Sequence, residues 1–397
     1  MDLKLQQLAA RYDFSFDVIE LLWRKYGPRT EDIVKTLKLP ALKFAIRVNT
    51  LKIAPKQLQT LLFRMNIAAE QHQVLEEVLF LPVQGPFSIP VHKERIVVDK
   101  FAGESLMQGS DLFAPGVRKV GKVKIGDNVT ITDKRGEILA SGIAKQTAND
   151  MLQFRKGLAV KVTDSIYKVM SIRESEVFKK GYMFDQSLPS IVVSRVLDPK
   201  PDELILDMCA APGGKTTHIA QLMQNKGKIV AVDRSLPRLR HLESHIQRLG
   251  ISKSTVEILG GDSRNLPNKY YQWADKILID PPCSALGVRP KLWDDTTKKE
   301  IADAVNYQRQ FLDAAMNYIR PNGIIVYCTC TLTTEENEGN VKYLCENFGC
   351  KILDQPFFLG SPGEKIEGLE DWQKLQRFYP DQHETPGYFI AKLQVQS

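Results

Sequence analysis

From about residue 170 onward, short apolar runs alternate with longer segments of helical character, and this alternation restricts the fold more than any other feature of the chain. The runs are Leu204 to Met208, Ile229 to Val232, Val256 to Leu259, Lys276 to Ile279 and Gly323 to Tyr327. Runs this short, rich in Ile, Val and Leu and separated by enough chain for a helix, read as buried strands of a parallel sheet. Repeated strand, helix and strand units make a doubly wound sheet, with ligand sites in the crevice at the carboxyl ends of its strands. The expected class is therefore α/β with a Rossmann-like sheet.

The rest of the chain has a different texture. Residues 1 to 40 carry apolar positions at helical spacing (Phe16, Ile19, Leu21, Leu22, then Ile33 and Leu37), interrupted at Gly27-Pro28. Phe44 to Lys52 reads as a strand, Lys56 to Met65 as a helix and Val78 to Leu81 as a second strand, which together make a small α/β module. From about 94 to 168 short β-branched runs are split by glycines, such as Val129-Thr-Ile-Thr132 and Ile138 to Ala140 around Gly126-Asp127 and Gly136. Turn signals at this spacing predict a compact β-barrel. The expected division is 1–92, 93–169 and 170–397, and at 397 residues the chain is long enough for each unit to have its own core.

No stretch approaches the roughly 18 uninterrupted apolar residues of a membrane span, so no membrane association is expected. The six cysteines are unevenly spread, with none before Cys209. Such a chain fits a reducing compartment, and a cytoplasmic location is expected. A formal net charge of +7 is compatible with a polyanionic partner, and its weight depends on where the charge sits.

The segment Asp207-Met-Cys-Ala-Ala-Pro-Gly-Gly-Lys-Thr216 follows the first strand and opens a helix. Small residues let backbone approach a ligand, and the helix start offers free N–H groups. A phosphate-binding P-loop needs glycine five positions before Gly214, where Cys209 stands, so an ATP or GTP loop is disfavoured. Asp233 ends the second strand, where a carboxylate can accept from ribose hydroxyls, and Asp262 follows the third. Cys209, Ala210, Ala211, Pro212, Gly213, Gly214 and Lys215, with Asp233 and Asp262, thus form a candidate site for an adenosine-like ligand, although each aspartate taken singly is an ordinary turn residue.

Asp280-Pro-Pro-Cys-Ser284 ends the fourth strand and Tyr327-Cys-Thr-Cys-Thr331 the fifth, so Cys283 and Cys330 are expected in one crevice beside that ligand. Two thiols there suit a particular chemistry. Carbon 5 of cytosine is a poor nucleophile until something adds to carbon 6, and a thiolate makes that addition reversibly. An acid near N3 eases the addition, a task for Asp280 with Lys215 as a further polar contact; Asp280 also borders the ligand loop. Single cysteines are more often core than catalyst, which is the reading for Cys328, Cys345 and Cys350. A zinc site from these and Cys330 is set aside, because one pair closes a strand while the other falls around a helix end, and no metal is expected. Asp280-Pro-Pro also occurs in amino-group methyltransferases, but there an aromatic residue holds the place of Cys283.

The ligand loop, Asp280-Pro-Pro-Cys283 and Thr329-Cys330-Thr331 together resemble the RsmB/NOP (Sun-domain) family of RNA 5-methylcytosine methyltransferases. Gly181 to Pro199, with Asp185-Gln186-Ser187, resembles the segment leading into that family's domain. Arg377-Phe378 and Pro386-Gly-Tyr-Phe-Ile-Ala391 resemble its closing hairpin, and Phe44 to Lys52 its RRM-like amino-terminal module. The resemblance implies a class I methyltransferase domain that uses S-adenosylmethionine (SAM), with Cys330 as nucleophile and Cys283 assisting release. DNA cytosine methyltransferases use a Pro-Cys nucleophile, so reversed roles are the alternative. The chain departs from the family's usual Asp-Ala-Pro-Cys-Ser-Gly at Pro281 and Ala285.

Ala102 to Gly116, Gly126-Asp127 and Gly157 to Val160 resemble a PUA domain, a small barrel found on RNA-modifying enzymes. Around them lie Arg118, Lys119, Lys122, Lys124, Lys134, Arg135, Arg155 and Lys156, suited to phosphate contacts. An inserted PUA domain resembles the sixth branch of the Sun family, whose members act on tRNA at the last cytosine of the acceptor stem. That implies a tRNA partner held by its acceptor stem and CCA end, a monomeric enzyme, and a paired target base that must be turned out or its terminal pair opened. Arg289, Lys291 and Trp293 are candidates to hold the displaced strand, with a surface loop carrying one core Trp as the alternative, of at least equal weight for Trp293. The rivals are an rRNA cytosine-5 methyltransferase and a non-catalytic RNA-binding or assembly factor retaining the fold.

Overall fold

Strand alternation is visible directly in the burial of the carboxyl-terminal sheet. In a computed structural model, which describes residues 2–169 and 172–396, the strands Leu204–Asp207, Lys228–Asp233, Val256–Gly260, Ala274–Ile279 and Ile319–Thr329 run parallel. The start of the third expected unit at Met170, and the ends Met1 and Ser397, lie outside the described residues. Successive side chains enter opposite cores: Ile205, Ile229, Leu278 and Val326 on one face, Leu206, Val230, Ile277 and Ile325 on the other. Both faces are covered by helices, as a parallel sheet requires.

Across this sheet the order is 256–260, 228–233, 204–207, 274–279, 319–329, then Tyr388–Gln394, Gln376–Phe378 and Ser361–Pro362. The chain winds outward from 204–207 in one direction and then crosses to 274–279 on its other side. The crevice at this reversal is where such sheets bind ligands. Tyr388–Gln394 pairs antiparallel with Ile319–Thr329 and closes the sheet beyond the second thiol's strand.

Residues 94 to 165 form a six-stranded sheet that curls around its own apolar core, in the order 112–113, 158–165, 138–144, 128–132, 94–98 and 117–120. The amino-terminal module begins with helices Asp2–Tyr12, Phe16–Tyr26 and Thr30–Leu37. Ser15 caps the second of these by accepting from Val18 N–H, and Gly27 with Pro28 ends it. Next, Lys43–Val48 and Val78–Gln84 pair antiparallel with helix Pro55–Arg64 against them. Lys168–Val169 and Met183–Asp185 complete this sheet from further along the chain, so it draws on all three expected units.

The three units interlock. Leu292 and Trp293, from the loop after the fourth parallel strand, are buried in the core of the curled sheet. Leu286 and Leu332, just beyond Cys283 and Cys330, pack among the amino-terminal helices.

Candidate active site

The loop after Leu204–Asp207 turns sharply into helix Gly214–Leu222. Gly213 sits at φ +108°, where a side chain is strained, and a Cβ there would meet Leu242 Cδ1 at 2.4 Å. Asp207, Cys209 to Lys215, Asp280 and residues 184–187 line a cavity of about 250 Å³. Asp207 is buried, with Oδ2 accepting from Thr216 at 2.7 Å and Oδ1 left without a partner. Burial pushes its pKa up to about 6, against the Thr216 hydrogen bond and the Lys215 ammonium. Burial and the surrounding carboxylates likewise push the Cys209 thiol up, keeping it protonated.

Asp233 and Asp262 lie beyond the residues lining that cavity. Asp233 accepts from the backbone N–H of Ala211 at 3.1 Å and of Ser235 at 2.9 Å, which fixes the loop against the second strand. Asp262 grips Arg264, with Nε at 2.8 Å and Nη2 at 2.5 Å.

At the ends of the fourth and fifth strands the two thiols meet: Cys283 Sγ and Cys330 Sγ are 3.4 Å apart. The hydrogen bond between them lowers the Cys330 pKa; burial and the Asp280 carboxylate oppose it and the Lys215 ammonium assists. The same bond raises the Cys283 pKa, so the two thiols titrate as a pair that shares one proton between the sulfurs. Lys215 Nζ lies 2.5 Å from Asp280 Oδ2. Burial disfavours this ammonium, but the Asp280 carboxylate overrides it and holds the Lys215 pKa above its usual value. Lys215 and Asp280 thus stand as an ion pair beside the two thiols. Cys328 is buried beneath, 3.5 Å from Asp280 Oδ1 and within reach of the Tyr388 hydroxyl at 3.7 Å. Cys345 and Cys350 belong to the core on the opposite face of the sheet.

Lys291 and Trp293 are buried, against a strand-holding role and in line with the core reading of Trp293, while Arg289 is half-buried. Arg289 donates to the carbonyls of Leu39 at 2.8 Å and Pro40 at 2.9 Å. Lys291 is buried on Asp294 at 2.9 Å, and Trp293 fills the curled sheet's core with Lys134 over its ring. An aromatic residue among cations looks alike in sequence whether it faces RNA or another domain.

Arg47 escaped the sequence reading altogether. It is buried, reaching from the amino-terminal sheet to Gln186 Oε1 and Gly214 O at 2.6 Å each and to Thr217 at 2.9 Å. The ligand loop's helix is thus tied to a module that begins more than 150 residues earlier in the chain.

A glycine-rich cradle at the switch point of the sheet, beside paired thiols, defines a methyltransferase of the class I, SAM-dependent type, here joined to a PUA domain. The chain belongs to the RsmB/F family of RNA cytosine-5 methyltransferases: the family model described as 16S rRNA methyltransferase RsmB/F matches residues 194–394, and the PUA domain model matches 94–166. It is 47% identical over 369 residues to a tRNA (cytosine(72)-C(5))-methyltransferase of Pyrococcus horikoshii, covering 91% of both chains. It is 31% identical to human tRNA (cytosine(72)-C(5))-methyltransferase NSUN6, covering 92% of this chain and 86% of that one. The crystal structure of NSun6 from Pyrococcus horikoshii with SFG superposes with a TM-score of 0.86 at 44% identity, covering 97% of this chain and 99% of the other.

Proposed function

We propose that this chain transfers a methyl group from SAM to carbon 5 of the last cytosine of the tRNA acceptor stem, position 72, through a covalent adduct on Cys330. The thiol pair carries the chemistry, two sulfurs 3.4 Å apart beside the cofactor loop, and the roles of Cys330 and Cys283 follow the family resemblance of their motifs. The choice of substrate rests on the similarity to the two cytosine-72 enzymes along nearly the whole chain.

The residues present fit SAM. Asp207 offers an unpartnered buried acceptor to an ammonium group, in a cavity whose other walls are the small residues of the loop. Cys209 to Lys215, with Asp280, would hold the cofactor, and Asp233 and Asp262 its nucleoside end. When bound, SAM supplies the electrophilic methyl. Cys330 adds as thiolate to carbon 6 while N3 takes up a proton, for which Asp280 and Lys215 are the assigned pair, and carbon 5 becomes nucleophilic. After methylation a base removes the carbon 5 proton, its electron pair reforms the ring double bond, Cys330 departs as thiolate, and N3 returns its proton to the Asp280–Lys215 pair. Cys283, hydrogen-bonded to that sulfur, assists the departure.

In this reading residues 1–92 and the PUA unit, 93–169, hold the acceptor stem and CCA end, while 170–397 carries out the chemistry. A single chain supplies both thiols and the cofactor loop, so no second copy is needed to complete the site. All six cysteines are free, in keeping with a reducing cytoplasm, and no helix among the described residues is long and apolar enough to cross a membrane.

The test is covalent trapping. With SAM and tRNA carrying 5-fluorocytidine, the parent protein should form a denaturant-resistant complex and Cys330→Ser none; native tRNA should become trapped on Cys283→Ser. The opposite pattern would reverse the roles. SAM binding without methylation of any tRNA would point instead to a non-catalytic factor, or, if rRNA is methylated, to an rRNA enzyme.

A further inference from the structure

The turn between the Cys330 loop and helix Glu338–Phe348 sends side chains to both thiol loops. Glu336 is fully buried and has no cationic partner among the described residues. Its carboxylate accepts instead from neutral donors: the Ser284 N–H at 2.9 Å, the Ser284 hydroxyl, the Thr333 hydroxyl at 2.9 Å and Gln308 Nε2 at 2.8 Å. Gln308 also holds the Pro282 carbonyl at 3.0 Å, so the chain on both sides of Cys283 is tied to one carboxylate.

Asn337, also fully buried, serves the other thiol in the same way. Its Oδ1 accepts from the Thr329 hydroxyl at 2.5 Å and its Nδ2 donates to the Thr331 carbonyl at 3.1 Å, one contact on each side of Cys330. Between the two arms the Ser284 and Thr331 hydroxyls are 2.6 Å apart. Because the Ser284 proton is committed to the carboxylate, Thr331 must donate to Ser284, and the hydroxyl chain runs in one direction.

A carboxylate without a counter-charge is expensive to bury and survives only on a complete set of donors, which makes this one a rigid anchor. We propose that Glu336 and Asn337 are positioning residues that set the separation of the two thiols, Glu336 by holding the Cys283 loop and Asn337 by holding Cys330. This rests on the thiol roles proposed above. Glu336→Gln keeps the volume but exchanges charge-assisted hydrogen bonds for neutral ones, and its NH2 group can be received only by turning round the Ser284 and Thr333 hydroxyls, which reverses the hydroxyl chain. Cys283 then shifts while Cys330 stays in place, so addition persists and release slows. Asn337→Ala frees Cys330 and impairs addition itself.

The full-length chain, native tRNA and SAM provide the test, with melting temperature and SAM affinity measured alongside. Glu336→Gln should complete a first turnover, retain about tenfold more RNA in a denaturant-resistant complex than the parent, and turn over about tenfold more slowly. Asn337→Ala should trap little RNA, native or 5-fluorocytidine-containing. Ser284→Ala, which removes only the bridging hydroxyl, should follow Glu336→Gln in direction and stands in for it should that variant not fold. Without RNA, diamide should oxidise Cys283 and Cys330 to their disulfide, itself being reduced to the hydrazine, about fivefold more slowly in Glu336→Gln than in the parent. Parent-like trapping and parent-like disulfide closure in the folded variants would overturn the positioning role. A parent protein that forms no adduct on 5-fluorocytidine tRNA would instead overturn the thiol chemistry on which it rests.

Discussion

Asp207 ends its strand with a buried carboxylate whose ionisation is set by the fold, and this gives it a measurable signature. Its pKa is raised from 3.8 to about 6, chiefly by burial. Between those values the folded chain keeps a proton that the unfolded chain has released, so this contribution to stability is full below about pH 4 and is lost as pH rises through about 6. The shift corresponds to about 3 kcal/mol. Asp207→Asn does not titrate, so in denaturant titrations the stability of the parent relative to the variant should fall by that order between pH 4 and pH 7; a constant difference would contradict the buried, unpaired carboxylate. Asp207 stands in plain view in the loop motif, but its orphaned oxygen depends on what surrounds it in space. The same holds for the thiols. Their placement at adjacent strand ends was legible from two motifs, whereas the hydrogen bond that couples their ionisation depends on a 3.4 Å contact. Glu336 and Asn337 read in sequence as a polar turn between two elements, and only their zero exposure distinguishes them.

Elements were legible in proportion to their length. Four of the five parallel strands announced themselves because they bury side chains on both faces, whereas the edge strand Val256–Gly260 buries only Val256 and carries Glu257. Lys168–Val169, Met183–Asp185 and Ser361–Pro362 are two or three residues long, too short for a period, and exist because a longer strand elsewhere offers its edge. The cofactor turn was readable for a different reason, since its glycines answer to backbone geometry. At Gly213 a positive φ and the Leu242 side chain both exclude a Cβ. Gly213→Ala should cost about 1–3 kcal/mol in stability or force the loop outward, and in either case weaken SAM binding by about tenfold or more. Isothermal titration with SAM checks this, with retained far-ultraviolet circular dichroism as the folding control. Parent-like affinity would show that the loop's left-handed turn does not shape the site.

At the scale of the molecule, the expected strand-holding residues Arg289, Lys291 and Trp293 prove to be a seam, and the RNA-facing charge has to be sought elsewhere. Trp293 is part of the PUA core, so Trp293→Ala should cost about 3–5 kcal/mol. It should raise the KM for tRNA while leaving SAM affinity near the parent value; the reverse split would place the indole at the cofactor. The basic residues of the PUA unit divide into two sets. Arg118 pairs with Asp99 at 2.9 Å, Lys134 with Asp295 at 3.6 Å and Arg135 with Asp13, and Arg155 donates to the carbonyls of Pro115 and Val117. Lys119, Lys122, Lys124 and Lys156 are exposed and have no ion pair among the described residues. A cation already neutralised by a carboxylate releases few counterions on binding a phosphate, whereas an unpaired lysine contributes about 0.7–0.9 to the slope of log affinity against log salt. Lys122→Ala with Lys124→Ala should therefore flatten that slope for tRNA by about 1.5, weaken binding most at low salt and leave the melting temperature unchanged. Arg135→Ala, which breaks a contact between the PUA unit and the amino-terminal helices, should affect stability more than the slope. An unchanged slope in the double-lysine variant would mean that this face is only solvated charge, and that the acceptor stem is held on another surface.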